Sequence, residues 1–66
     1  MRQGAKVKVK YQYILKIAEK NFELAKFLAD KTGVIIGFDD ITWYFLVKFE
    51  DKELSFRRFH LDEVDD

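Results

Sequence analysis

His60 is the only histidine in the chain, and it is the one side chain whose ordinary pKa lies near neutrality. Acid–base chemistry would have to start there. Asp62 stands two residues further on and could orient the ring, while hydroxyl nucleophiles are limited to Ser55, Thr32, Thr42 and the tyrosines. A nucleophilic site needs an attacking group, its base and an orienting carboxylate brought together, and no spacing in the sequence does this. Cysteine is absent, which removes thiol nucleophiles, thiolate metal ligands and disulfides. Asp62, Glu63, Asp65 and Asp66 make an acidic tail, without the alternating ligands and central glycine of a calcium loop. Gly4, Gly33 and Gly37 form neither a dinucleotide-binding nor a Walker pattern. These residue types predict a protein that is not an enzyme, with no cofactor and no metal site.

Binding chemistry is better supplied. The chain holds 7 Phe, 3 Tyr and 1 Trp. Tyr11, Tyr13, Trp43 and Tyr44 could stack bases beside Lys8, Lys10, Arg57 and Arg58, as small barrels do with single-stranded nucleic acid. The total charge speaks against a strongly basic nucleic-acid module, because 12 Lys and Arg balance 12 Asp and Glu. That zero hides an asymmetry. Residues 1–31 carry eight cations against three carboxylates, +5, and residues 32–66 carry four against nine, −5. The simplest use of such halves is to pair with one another inside the fold. An acidic half could also imitate a phosphate track.

At 66 residues the chain is one domain, 1–66, and buries only about 60% of its unfolded surface. A hydrophobic fraction of 48% predicts a folded globule rather than disorder. No charged-then-apolar leader and no apolar run of membrane-spanning length stands out, so a cytoplasmic protein without membrane contact is expected.

The elements follow from periodicity. From Ala5 to Ile17 every odd position is apolar, and Lys6, Lys8, Lys10, Gln12 and Lys16 hold five of the six even ones. Period two predicts a strand ending between Tyr11 and Ile17. Ile14 breaks the alternation, and with Ala18, Phe22, Ala25 and Ala29 it supports a competing helix over 12–31. The preferred reading has one helix, over about 18–31 and clearest from Phe22 to Lys31, with Asn21 as its N-cap and Gly33 just past its end. Its apolar arc is wide enough for Phe27 or Leu24 to face a partner. Strands are expected at Val34–Phe38, Ile41–Glu50 and Leu54–Arg58, with turns at Asp39-Asp40 and Asp51-Lys52. Phe59–Val64 reads as a 3₁₀ turn leading into a last strand. Odd positions of the Ile41–Glu50 strand would face the core, leaving Tyr44 as its best exposed aromatic.

Gly4 with Val7 and Val9, then Gly33-Val34, then Leu46-Val47-Lys48-Phe49-Glu50, and finally Phe59-His60 with Asp62-Glu63-Val64 resemble the SH3-like barrels of electron-transport accessory proteins. Among these the chain is most similar to the variable chain of ferredoxin–thioredoxin reductase, over about half its length. The loop that family carries after the first strand is replaced here by the segment from Ile14 to Lys31. The resemblance implies a partner subunit without a redox centre, supporting a catalytic chain that holds the cysteines and the iron–sulfur cluster. A chain lacking cysteine fits that role.

The sequence therefore predicts a mainly β fold, a small five-stranded SH3-like barrel with a helical insertion after the first strand. Its expected function is a non-enzymatic binding or accessory module that docks on a protein partner. Phe27, Trp43, Tyr44, Arg57, Arg58 and Phe59 are the candidate contact residues. The alternatives are a single-stranded nucleic-acid binder and a small inhibitor of a host or phage enzyme.

Overall fold

In the computed structural model, which describes residues 1–64, five strands form one antiparallel sheet, and two helices stand between the first and second of them. The order along the chain is β1 (Lys6–Val9), α1 (Tyr11–Lys20), α2 (Phe22–Ala29), β2 (Gly33–Asp39), β3 (Tyr44–Phe49), β4 (Lys52–Arg57), a 3₁₀ turn (Arg58–His60) and β5 (Leu61–Glu63). Across the sheet the strands lie β4-β3-β2-β1-β5. The mainly β expectation holds. Asp65 and Asp66 of the acidic tail lie outside the described residues.

Alternation places one face of each strand inward. Val7 and Val9 of β1, Ile35 of β2, Phe45, Val47 and Phe49 of β3, Phe56 of β4 and Leu61 of β5 are buried together with Ile14, Ala25 and Leu28 from the helices. The final 3₁₀ turn and strand fall where the sequence predicts them.

Two expectations about the segment after β1 are corrected. The strand does not run into Tyr11–Ile17, and the insertion is two helices rather than one. Tyr13 and Ile14 both donate their N–H to the Lys10 carbonyl, starting α1. Ile14, the residue that broke the alternation, is the buried one, with Ile17 and Ala18 packed on the same core, while Tyr11 and Leu15 are exposed. Helical spacing wins because Ile14, Ile17 and Ala18 fall on one helix face that can be buried. At Asn21 the backbone leaves helical geometry (φ −149°, ψ 88°). Its N–H closes α1 on the Ile17 carbonyl, and its side-chain Oδ1 accepts from Leu24 N–H at 3.1 Å to cap α2.

Two further boundaries shift. β3 starts at Tyr44 because Ile41–Trp43 belong to the preceding turn. The β3–β4 turn is Glu50-Asp51 rather than Asp51-Lys52, since Phe49 pairs with Lys52 and Glu50 takes the positive φ (54°) usually left to glycine. Gly33 is not a helix terminator. Asp30 closes α2, and Gly33 opens β2 as a buried residue.

Candidate functional site

The site is built from the loop between β2 and β3. Asp39 ends β2 and folds its carboxylate back, so that Oδ1 accepts from the N–H groups of Ile41 (2.9 Å) and Thr42 (3.2 Å). These two bonds, Ile41 first, hold the Asp39 carboxyl below its ordinary pKa. The Asp39 carbonyl then accepts from Trp43 N–H at 2.7 Å. The loop closes with Trp43 at φ 66°, a left-handed conformation that bulky residues rarely adopt.

The consequence is a change of face. Alternation predicts Trp43 inward and Tyr44 outward, but the left-handed turn leaves Trp43 68% exposed and Tyr44 half-buried. The Trp43 ring meets Phe38 edge-on at 6.0 Å, and Phe38 in turn lies 4.8 Å from Phe45. An aromatic series thus runs from the surface into the core.

Facing it are the end of β4 and the 3₁₀ turn, which supply Arg57, Arg58 and Phe59. Together with Met1, Phe38, Trp43 and Phe45 they line a groove of about 290 Å³. Phe59 is 65% exposed and meets His60 at 4.3 Å. His60 lies flat on Tyr13, with centroids 3.5 Å apart and planes 8° from parallel. Burial first, then the charges of Lys16 and Arg57, push the His60 pKa down. The Arg57 guanidinium stands 4.7 Å over the Tyr44 ring.

Of the six candidates, Trp43, Arg57, Arg58 and Phe59 come together in this groove. Tyr44 sits beside it through Arg57, its cross-strand neighbour. Phe27 is not part of it. That ring packs half-buried against the core, under the ammonium groups of Lys31 and Lys52 at 5.4 and 5.6 Å. Sequence reasoning missed Met1, Phe38 and Phe45. The last two are direct partners across β2 and β3, so aligning those strands as a hairpin would have found them.

Comparison with protein-family models, with curated proteins and with solved structures gave no match.

His60 makes no hydrogen bond with Ser55, Thr32, Thr42 or Asp62 among the described residues. No cluster of three or more His, Asp or Glu among those residues could hold a metal ion, and no helix is long and apolar enough to cross a membrane. Lys10 pairs with Asp62 at 3.6 Å, whereas Arg57 and Arg58 have no ion-pair partner among the described residues. Two cations without carboxylates therefore rim a concave aromatic surface.

Proposed function

We propose that this protein is a non-enzymatic, cytoplasmic accessory module that docks on a partner protein through the Trp43–Phe59 groove. The partner segment inserts an apolar side chain between Trp43 and Phe59 and sets carboxylates against Arg57 and Arg58. One observation carries this reading: Trp43 is held outward in a strained left-handed conformation beside those two arginines. Backbone strain of that kind costs about 1–3 kcal/mol, and residues that hold it cluster at functional sites. Exposed aromatics and arginine are also the residue types that dominate binding energy at interfaces.

The fold we assign is the SH3-like barrel. In a flat sheet β4 and β5 would lie four strand spacings apart, about 19 Å. Only the 3₁₀ turn Arg58–His60 joins them, and at a rise of about 2 Å per residue it spans far less. A sheet curled until its edges approach accommodates this, which supports a partly closed barrel and, through it, an accessory role of the kind the ferredoxin–thioredoxin reductase resemblance implies.

Affinity capture from the native cell tests the function. A single stoichiometric partner should be recovered and then lost with Trp43→Gly, which keeps the loop because glycine adopts a positive φ freely. Arg58→Glu and Phe59→Ala should lose it as well, and Phe27→Ala should not. Retention of the partner by Trp43→Gly would overturn the assignment.

A second reading has its own support. The basic and aromatic surface continues from Phe59 to Lys10, Lys16, Tyr13 and His60, which suits a single nucleic-acid strand. A thymidine oligonucleotide would then quench Trp43, the only tryptophan, with an affinity that falls steeply as salt rises.

A further inference from the structure

The second surface is the outer edge of β4, which shares only Arg57 with the groove. Among the described residues, β4 is an edge strand paired with β3 alone. None of its backbone groups makes a hydrogen bond beyond that ladder among the described residues. Sheet edges are normally blunted by charged side chains, proline, bulges, inward-facing charges or very short length. β4 carries the exposed charges Lys52, Glu53 and Arg57 but none of the other devices. It is six residues long, its register with β3 is unbroken from Tyr44↔Arg57 to Phe49↔Lys52, and the chain contains no proline. Its inward positions are Leu54, half-buried, and Phe56, buried.

The free groups can be assigned. In a hairpin closed by a two-residue turn, the pair flanking the turn exchanges both hydrogen bonds and the pattern then alternates. Phe49↔Lys52, Val47↔Leu54 and Phe45↔Phe56 are therefore the bonded pairs. Glu53, Ser55 and Arg57 aim their N–H and C=O groups away from β3, and their side chains are exposed on the outer face.

We infer that this edge pairs antiparallel with the β4 edge of a second copy of the chain, about a two-fold axis at Ser55. That register matches every outward backbone group with an outward group of the partner. It also sets Glu53 directly across from Arg57 of the other copy, twice by symmetry, and brings Leu54 against Phe56 on the inner face. The two registers that align an outward residue with itself at either end oppose Glu53 to Glu53 or Arg57 to Arg57, and like charges directly opposite are unfavourable. The edge is thus self-complementary in charge, which selects a second copy over an unrelated strand. The result joins the two protomers through β4, which is not paired with β5 in the strand order β4-β3-β2-β1-β5 and so keeps a free edge even where the sheet curls.

Sedimentation equilibrium and light scattering test this directly. The wild-type protein should approach twice the chain's mass as its concentration rises towards about 1 mM. Glu53→Arg and Arg57→Glu should each weaken self-association at least about tenfold, because both ion pairs become like-charge pairs. Mixing these two variants should restore a dimer, since each supplies the charges the other lacks, and the double swap Glu53→Arg/Arg57→Glu should restore it within one chain. Circular dichroism confirms that each variant is folded. A wild-type protein that stays monomeric up to that concentration, or a mixture that remains monomeric, would overturn the inference. Because the readout is mass, it is separate from loss of a groove partner in Arg57 variants.

Discussion

His60 shows how one contact sets a residue's chemistry. Its ring is stacked on Tyr13 at 3.5 Å, and burial, then Lys16, then Arg57 lower its pKa from 6.5. The unfolded chain therefore takes up a proton at a higher pH than the folded one. By linkage, the stability this difference supplies is whole above pH 6.5 and is lost as pH falls through the lower folded value. Denaturant unfolding followed from pH 7.5 to 5 should show stability declining with acid. His60→Phe keeps a flat ring on Tyr13 and cannot titrate, so its profile should be level over that interval. An unchanged slope in the variant would remove His60 as the cause. Asp39, whose carboxyl is held below 3.8 by the Ile41 and Thr42 N–H groups, acts in the same direction but in a separate window. Its contribution is present above pH 3.8 and is lost as the pH falls below that value.

Among the elements, β2 depends on its first residue. A Cβ on Gly33 would come within 2.6 Å of Val47 Cγ1 and 2.7 Å of Phe49 Cε1, and both side chains are fully buried. Neither can yield, so Gly33→Ala should cost about 1–3 kcal/mol by overpacking. At Gly37 the same methyl would meet Leu46 Cβ at an ordinary 3.9 Å, and Gly37→Ala should stay within about 0.5 kcal/mol of wild type. Urea unfolding of the two variants measures the contrast, and equal effects would show that close approach at Gly33 is not what limits the strand. Gly33 also marks where the sequence was readable and where it was not. β2, the Asn21 cap of α2 and the closing 3₁₀ turn rest on short-range signals and stand within a residue of where those signals put them, whereas β4 begins two residues earlier, at Lys52, and α2 ends two residues sooner, at Ala29. α1 does not, because Tyr11, Tyr13, Leu15 and Ile17 satisfy period two while Ile14, Ile17 and Ala18 satisfy the helical period. Only the tertiary core, which buries Ile14, decides between them. At the groove, residue type singled out Trp43, Arg57, Arg58 and Phe59, but alternation gave Trp43 the wrong face. The Asp39 loop takes up Ile41 to Trp43 before the strand begins, and strand periodicity carries no trace of that turn.

At the scale of the whole molecule the +5 and −5 halves do meet. Lys31–Glu50, Lys10–Asp62 and the Met1 amino group with Glu63 each join a cation of the first half to a carboxylate of the second. In every pair the carboxylate is more than half exposed, and exposed pairs contribute about 0–1 kcal/mol each. The eleven buried apolar side chains among the described residues outweigh them. A domain of 66 residues has a total stability of only about 3–10 kcal/mol, so the two kinds of interaction are separable by experiment. In about 1 M salt, where screening acts over roughly 3 Å, the protein should stay folded and lose no more than about 3 kcal/mol, the most that three such pairs contribute. Phe49→Ala empties the core at the end of β3, where the ring is fully buried and meets Phe56 edge-on at 5.9 Å, and should cost about 3–5 kcal/mol. That is most or all of the margin, so the variant should be largely unfolded at 25 °C by circular dichroism. Unfolding by salt together with survival of Phe49→Ala would mean that the paired halves, and not the aromatic core between them, hold the sheet together.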